Sequence, residues 1–298
     1  MMKNRVFFII NRFSGRGYRQ SLEQEILARC EESGLRPTLE FTGHPGHATE
    51  LAGQAAAENF PMVFAVGGDG TVNEAASGLV RTGTALGIVP RGSGNGLARH
   101  LGIPMAPAKA LGLLGAHQVV SMDALLINGR YSFNVSGIGF DGHVAGKFGQ
   151  NGKRGLAGYV SAALREFPGF KEFGVDAKVD GLPLQQRAFI VAFANSSQFG
   201  NGATIAPGAS LCDGKMDLCL IRKPSYLQVG SFLGKLFTGR LDRSKSVKIV
   251  RATEFSAVLD RSTAGHIDGE PCAPATVFSV RLEPACLKIL APAATGPI

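Results

Sequence analysis

The sequence predicts an α/β domain followed by a β-rich domain. Three observations carry that expectation. Strand and helix signals alternate over the first third; near Ser121 the pattern changes to short β-rich runs joined by turn signals; and two consecutive strands of the first part each end in a Gly-rich turn. The 298 residues suffice for two domains. They are 45% hydrophobic and 18% charged, which supports a sizeable core and excludes a disordered chain.

The elements follow in order. Val6 to Ile10 is a short apolar run behind Met1-Met2-Lys3-Asn4-Arg5, the outline of a signal peptide. The apolar stretch is too short for one and breaks into Asn11-Arg12-Phe13-Ser14-Gly15, so it reads as a buried first strand. Ser21 to Ser33 is helical, with Leu22, Ile26, Leu27 and Cys30 expected on one face and Gly34 as the stop. Thr38 to Thr42 is a second strand and Ala48 to Glu58 an Ala-rich helix. Met62 to Val66 is a third strand, Val72 to Val80 a helix, Ala85 to Val89 a fourth strand and Ala106 to Leu114 a helix. This order calls for a parallel sheet covered by helices.

From Met122 the β runs are Ala124 to Ile127, Arg130 to Val135, Val175 to Val179, Gln186 to Asn195, Met216 to Arg222, Ser246 to Val250, Phe255 to Leu259 and Val277 to Leu282. Turns such as Asn128-Gly129 and Asp180-Gly181 join them, which predicts an antiparallel domain. Helices are expected at Leu156 to Glu166 and Ser225 to Phe237, and a frayed tail from Ala291 to Ile298.

The chain carries 31 Lys+Arg against 23 Asp+Glu, a net charge of +8. That points to an anionic partner: nucleotide, nucleic acid or anionic lipid. Nucleic-acid recognition would need a basic cluster interleaved with aromatics, and Lys147, Lys153 and Arg154 stand in no such motif, so no nucleic acid is expected. The five cysteines include no C-x-x-C, which supports neither a disulfide framework nor a zinc site. No apolar run reaches eighteen residues, so a transmembrane helix is not expected.

The strongest local signal is Val66-Gly67-Gly68-Asp69-Gly70-Thr71-Val72-Asn73-Glu74. A strand ends in glycines and a helix begins, which offers free N–H groups to a phosphate. Asp69 would repel that phosphate unless a cation intervenes, which hints at Mg²⁺; the plain alternative is a helix cap by Asp69 or Thr71. The next strand ends in Pro90-Arg91-Gly92-Ser93-Gly94-Asn95-Gly96. Two such loops on neighbouring strand ends favour a nucleotide crevice. No Walker A element occurs. Gly137-Ile138-Gly139-Phe140-Asp141-Gly142 spells G-x-G-x-x-G, but Gly146, Gly149 and Gly152 argue against a following helix, so it reads as a bulge or tight turn. Ser210-Leu211-Cys212-Asp213-Gly214-Lys215-Met216-Asp217 is a turn before a strand or a cation site. In Ile267-Asp268-Gly269-Glu270-Pro271, two carboxylates flank a glycine, as in a hairpin turn or around a catalytic base.

Together these motifs resemble the diacylglycerol kinase catalytic family, which includes bacterial lipid kinases and sphingosine kinases. The resemblance runs from Asn11 to Glu270. It implies a Rossmann-like N-terminal domain over 1–121, joined by the tail 286–298, and a C-terminal β-sandwich over 122–285 that receives a lipid. It implies that Gly67, Gly68, Asp69, Gly70, Thr71, Val72 and Asn73 cradle ATP, with Gly92 and Ser93 approaching from the second loop. Asn11 and Ser14 match an early element written N-P-x-S-G, with Arg12 in the place of proline, and Thr42 matches a threonine on the nucleotide. Asp213 matches a Mg²⁺ ligand, completed by the Ser210 and Lys215 carbonyls. Glu270 matches the general base; Asp69, joined to the metal through water, and Asp268 complete the catalytic set. Gly96 stands where many bacterial members have Asp, and Gly92 to Ala98 is closer to sphingosine kinases.

The expected activity is therefore transfer of the γ-phosphate of ATP to a lipid hydroxyl. The rivals are an NAD kinase, which shares Gly-Gly-Asp-Gly, and a non-catalytic lipid- or nucleic-acid-binding protein. A cytoplasmic protein in transient contact with an anionic membrane surface is expected. The segment Leu227 to Phe237, flanked by Lys223, Lys235, Arg240, Arg243 and Lys245, either meets that surface or covers the β domain. The lipid is left open, and so is a homodimer.

Overall fold

In the computed structural model, residues 4–15, 20–148 and 155–293 are described. Gly149, Gly152, Lys153, Arg154 and 294–298 of the tail lie outside them. The chain divides into two units, Met1–Asp123 with Pro284–Ile298, and Ala124–Glu283.

The first unit alternates β1 (Arg5–Ile10), α1 (Ser21–Glu32), β2 (Arg36–Phe41), α2 (His47–Ala57), β3 (Met62–Gly67), α3 (Asp69–Leu79) and β4 (Ala85–Pro90), followed by the short helices α4 (Gly96–His100) and α5 (Pro107–Ala110). β1 to β4 pair in parallel: β1 lies between β2 and β3, and β4 lies beyond β3. Val6 to Ile10 and Ala85 to Pro90 are buried at every position, as central parallel strands with both faces covered must be. Phe8 of β1 and Phe64 of β3 stack with ring centroids 5.2 Å apart. In α1 the buried stripe is Leu22, Ile26 and Cys30, a spacing of four. Leu27, expected on that face, is 49% exposed because it falls off the stripe. The Ala106 to Leu114 helix is only one turn of α-helix that tightens into a 3₁₀ turn over Leu111–Leu114. No helix was expected at Gly96–His100.

In the second unit β5 (His117–Ile127) enters from the first and is followed by β6 (Arg130–Ser132), β7 (Val135–Gly139), α6 (Phe140–Lys147), α7 (Leu156–Glu166), β8 (Phe173–Val179), β9 (Leu182–Ala188), β10 (Ile190–Ala194), β11 (Met216–Ile221), α8 (Tyr226–Phe237), β12 (Val247–Ala252), β13 (Glu254–Ile267) and β14 (Glu270–Pro292). One layer runs β12-β11-β10-β7 to the end of β13, and a second holds β9, β8 and the start of β13, which also pairs with β14. The register of β13 on β14 shifts between Val258 and Gly265, where β13 passes from one layer to the other. Phe193, Met216 and Leu218 of one layer meet Phe173, Phe255 and Val280 of the other in a buried core. The outer face of the first layer, with Ile190, Ala192 and Cys219, is covered by Phe140 and Val144 of α6 and by Ala162 of α7. The chain is thus an α/β unit with a parallel sheet and a β-sandwich unit. The far end of β14 runs parallel to β4 in the first unit, with Lys288 beside Ala85 and Ile289 beside Leu86.

The G-x-G-x-x-G run departs from its expectation. It does lead into a helix, α6, despite Gly142 and Gly146. A Cβ on Gly142 would lie 2.5 Å from the Gly265 Cα, so this glycine lets α6 pack backbone to backbone on β13, and that contact outweighs its poor helix propensity.

Candidate active site

In the first unit the strand order 2-1-3-4 reverses direction between β1 and β3, and ligands of such sheets lie at the carboxyl ends of the strands around that point. The loops after β1, β3 and β4 converge there. The Asn11 amide nitrogen donates to the Thr71 hydroxyl at 2.9 Å, and the Asn11 backbone N–H to the Val66 carbonyl at 3.0 Å. Ser14 donates its hydroxyl to the Asn11 carbonyl at 2.9 Å, so the turn forms without the family's proline. Arg12, in the proline's place, lays its guanidinium over the Phe41 ring, 3.6 Å from the centroid. A Cβ on Gly15 would lie 2.3 Å from the Arg91 carbonyl oxygen, which brings the first loop onto the loop after β4.

Asp69 joins the second and third loops. Its carboxylate accepts the Asn95 N–H and the Gly96 N–H, both at 2.8 Å. The positive partner that the sequence called for beside Asp69 is thus supplied in part by backbone amides at the start of α4, and neither Asp69 nor Thr71 caps α3. The glycines set the spacing. A Cβ on Gly92 would lie 2.8 Å from the Gly68 Cα, and one on Gly94 would lie 2.7 Å from Asp69 Oδ2. A Cβ on Gly67 would lie 2.5 Å from the Thr71 side chain. The first turn of α3, including Gly70 and Thr71, has no side-chain cap, and Val72 makes the first intrahelical bond, to the Gly68 carbonyl at 3.1 Å. An uncapped first turn on an eleven-residue helix presents N–H groups and a positive dipole end to an anion. Val72 is buried behind the turn, while Asn73 is half-buried and Ser93 exposed. Thr42 closes β2, its N–H on the Ile10 carbonyl at 3.1 Å.

Two residues were missed here. Glu74 caps the neighbouring helix α2, accepting the Gly46 and Ala48 N–H groups at 2.9 and 3.2 Å; a bond across 28 residues leaves no local signal. Asn95, buried and left-handed at φ 46°, donates to the Gly67 carbonyl at 3.2 Å, and its Oδ1 is buried without a partner. An Asn flanked by glycines before a helix is the signal that marks it.

In the second unit Asp268 and Gly269 form the turn between β13 and β14, both with positive φ, 48° and 91°, as a tight Asp-Gly hairpin requires. The Asp268 carboxylate is buried and accepts the Ser132 hydroxyl at 2.7 Å, the Phe133 N–H at 2.8 Å and the Asn134 N–H at 3.1 Å. Those bonds give it the work of fixing the turn. Glu270, two residues on, is exposed, and no hydrogen bond or ion pair engages its carboxylate among the described residues. His266 and Asp141, both buried, flank the same turn; the sequence reading passed over both.

In the loop over Ser210 to Lys215 the carboxylate is engaged by two partners. Asp213 accepts the Lys215 N–H at 3.0 Å and pairs through its other oxygen with the Arg251 guanidinium on β12. The Arg251 guanidinium occupies one side of that oxygen, so a divalent ion bound there would compete with it. Arg251 carried no sequence signal, since it lies 38 positions beyond its partner. Next to the loop, burial pushes the pKa of Asp217 up.

Comparison with known proteins agrees with this architecture. Residues 5–127 match the diacylglycerol kinase catalytic domain, and residues 134–291 match the YegS C-terminal NAD kinase beta sandwich-like domain. The chain is 26% identical to the diacylglycerol kinase of Bacillus subtilis (strain 168) over 275 residues, 89% of each chain. It is 29% identical to "Probable lipid kinase YegS-like" of Pseudomonas aeruginosa (strain UCBPP-PA14) over 272 residues, 90% of this chain and 88% of that one. A crystal structure of a diacylglycerol kinase from Bacillus anthracis str. Sterne superposes with a TM-score of 0.79 at 20% identity, covering 98% of both chains, and shows the same fold. With both of its units matched in this order, the chain belongs to the diacylglycerol kinase and YegS-like lipid kinase family of phosphotransferases.

Proposed function

We propose that the protein transfers the γ-phosphate of ATP to the hydroxyl of a membrane lipid. The observation that carries this reading is Glu270, an exposed and unengaged carboxylate on a turn that Asp268 holds from behind. A carboxylate so placed accepts the proton that a lipid hydroxyl loses as its oxygen bonds to phosphorus. Gly67 to Asn73, Gly92 and Ser93 hold the nucleotide phosphates through backbone N–H groups at the uncapped start of α3, with Asn11 fixing Thr71 and Thr42 beside them. Phosphoryl transfer asks mainly for positioning and charge neutralisation, and Mg²⁺ accompanying the nucleotide would supply the latter. No step is assigned to the Ser210–Lys215 loop.

The test is incubation with γ-labelled ATP and either a lipid extract or NAD, with mass spectrometry of the products. Label is expected in a lipid and not in NAD. Labelled NAD with unlabelled lipid would replace this reading with an NAD kinase, and no transfer to either would overturn it.

At the Ser210–Lys215 loop, Mg²⁺ competes with Arg251 for Asp213. Melting of the wild-type protein is expected to be insensitive to Mg²⁺ in the absence of nucleotide. Arg251→Ala frees one hard carboxylate beside the loop carbonyls, so Mg²⁺ should then raise its melting temperature, and adding Asp213→Ala should abolish that rise. A wild-type rise that Asp213→Ala removes would instead make the loop a standing metal site.

No helix among the described residues is long and apolar enough to cross a membrane. We take the lipid to be met at a bilayer surface, and residues at the two ends of α8 support that contact. Phe232 and Leu236 pack on the core of the β unit, while Phe237 is 42% exposed. Tyr226 and Leu227 at its start are 71% and 98% exposed, and Arg240, Arg243 and Lys245 beyond its end are exposed cations. That combination suits an anionic bilayer. Leu227→Ser is expected to weaken binding to anionic vesicles by about tenfold, since burying a leucine stabilises by about 1.5–3 kcal/mol. Activity on a short-chain soluble lipid should stay unchanged. Equal vesicle binding by both proteins would return Leu227 to an ordinary exposed residue.

A further inference from the structure

The G-x-G-x-x-G run, which neither nucleotide loop uses, builds a second anchor for the turn that carries Glu270. Gly137 leaves room for the Asp141 side chain, because a Cβ there would lie 2.1 Å from Asp141 Oδ2. Gly139 takes φ 116° to turn β7 into α6, and Gly142 brings α6 against Gly265. Asp141 is thereby pressed onto β13 beside His266, which sits opposite Gly137 in the β7–β13 register. The two side chains are 3% and 5% exposed, and His266 Nε2 lies 3.2 Å from Asp141 Oδ2. The other Asp141 oxygen accepts the Gly142 N–H at 2.8 Å.

The His266 tautomer follows from its second contact. Gly269 N–H donates to His266 Nδ1 at 3.2 Å, and a backbone amide can only donate. Nδ1 is therefore bare, and the ring proton sits on Nε2, directed at the Asp141 carboxylate. The turn is thus held from two sides: Asp268 by Ser132, Phe133 and Asn134, and the Gly269 amide by His266. The held amide is the one immediately before the peptide that leads into Glu270.

We propose that His266, oriented by Asp141, is a positioning residue that fixes the Gly269 amide and with it the direction of the Glu270 carboxylate. This rests on the lipid kinase reading above. It is a role acting through Glu270, not contact with the substrate.

Two substitutions separate the two bonds of the ring. In His266→Asn the side-chain oxygen can fall where Nδ1 lies and still accept the Gly269 N–H. In His266→Gln the amide reaches the Nε2 position and keeps only the Asp141 contact. His266→Gln is expected to lower kcat by about tenfold to a hundredfold, with KM for ATP unchanged, because a misplacement of about 1 Å can cost about a hundredfold. His266→Asn should retain most of the turnover. Amide hydrogen exchange at Gly269 should quicken in His266→Gln and stay slow in His266→Asn, while both melt near the wild-type temperature. Wild-type kcat in His266→Gln, or equal losses in both variants that track a lower melting temperature, would overturn the proposal. If the wild-type protein phosphorylates no lipid, the functional reading fails, and exchange at Gly269 still decides whether His266 fixes the turn. Fast exchange in the wild-type protein would sink the positioning role whatever the activity.

Discussion

Glu270→Gln is expected to reduce turnover by about 10²–10⁴, the range over which a general base contributes, while ATP affinity stays close to wild type. The amide has the shape of the carboxylate but cannot take a proton. Because the Glu270 carboxylate is exposed and engaged by no hydrogen bond or ion pair among the described residues, the melting temperature should not move. Single-turnover measurement with saturating ATP isolates the chemical step. Near-normal turnover would remove Glu270 as the base and leave Asp268 no better placed, since that carboxylate is buried and accepts hydrogen bonds from Ser132, Phe133 and Asn134.

Gly92→Ala is expected to act on the other half of the reaction. Its added methyl would lie 2.8 Å from the Gly68 Cα and 2.9 Å from Asn95 Oδ1. The nearest of these atoms is backbone, so the loops after β3 and β4 must move apart, and the amides that Asp69 aligns move with them. A shift of about 1 Å in a positioning group costs about a hundredfold, so kcat/KM for ATP should fall by about that factor. The loss should appear in nucleotide affinity measured by calorimetry as well as in rate. Glu270→Gln and Gly92→Ala thus part company: one spares ATP binding and the other does not. Undiminished ATP affinity in a folded Gly92→Ala protein would show that the glycine contact does not shape the phosphate site.

Much of this was legible because the signals are local. Buried parallel strands read as continuous apolar runs, and Gly67-Gly68-Asp69-Gly70 announces a strand-to-helix turn within four residues. The Asp268-Gly269 turn is likewise a dipeptide signal. The part each side chain plays was less legible, because it depends on partners far along the chain. Asp69 called for a positive partner, and amides 26 and 27 residues away supply part of it. Asp213 read as a metal ligand, and its partner Arg251 lies on β12. Gly146, Gly149 and Gly152 argued against a helix after the Gly137 to Gly142 run, yet α6 follows it, packed through Gly142 on the backbone of Gly265. In α8 the apolar spacing is real, but periodicity cannot say whether a stripe meets a core or a membrane; here Phe232 meets the core and Leu227 does not.

The last strand has a consequence for how the protein is made. β4 gains its outer neighbour only from Lys288 and Ile289, and the Arg81 N–H donates to the Cys286 carbonyl at 2.7 Å. On the ribosome, the first unit emerges with that edge unpaired and waits for about 200 further residues, on the order of 10–40 s at about 5–20 residues per second. During that interval a fully buried strand stands at an open edge, the arrangement most prone to pair with another chain. A nascent chain stalled before Cys286 should therefore be aggregation-prone and hold a first unit that lacks its closing strand, even though every residue of the Gly-rich loops after β3 and β4 has already been translated.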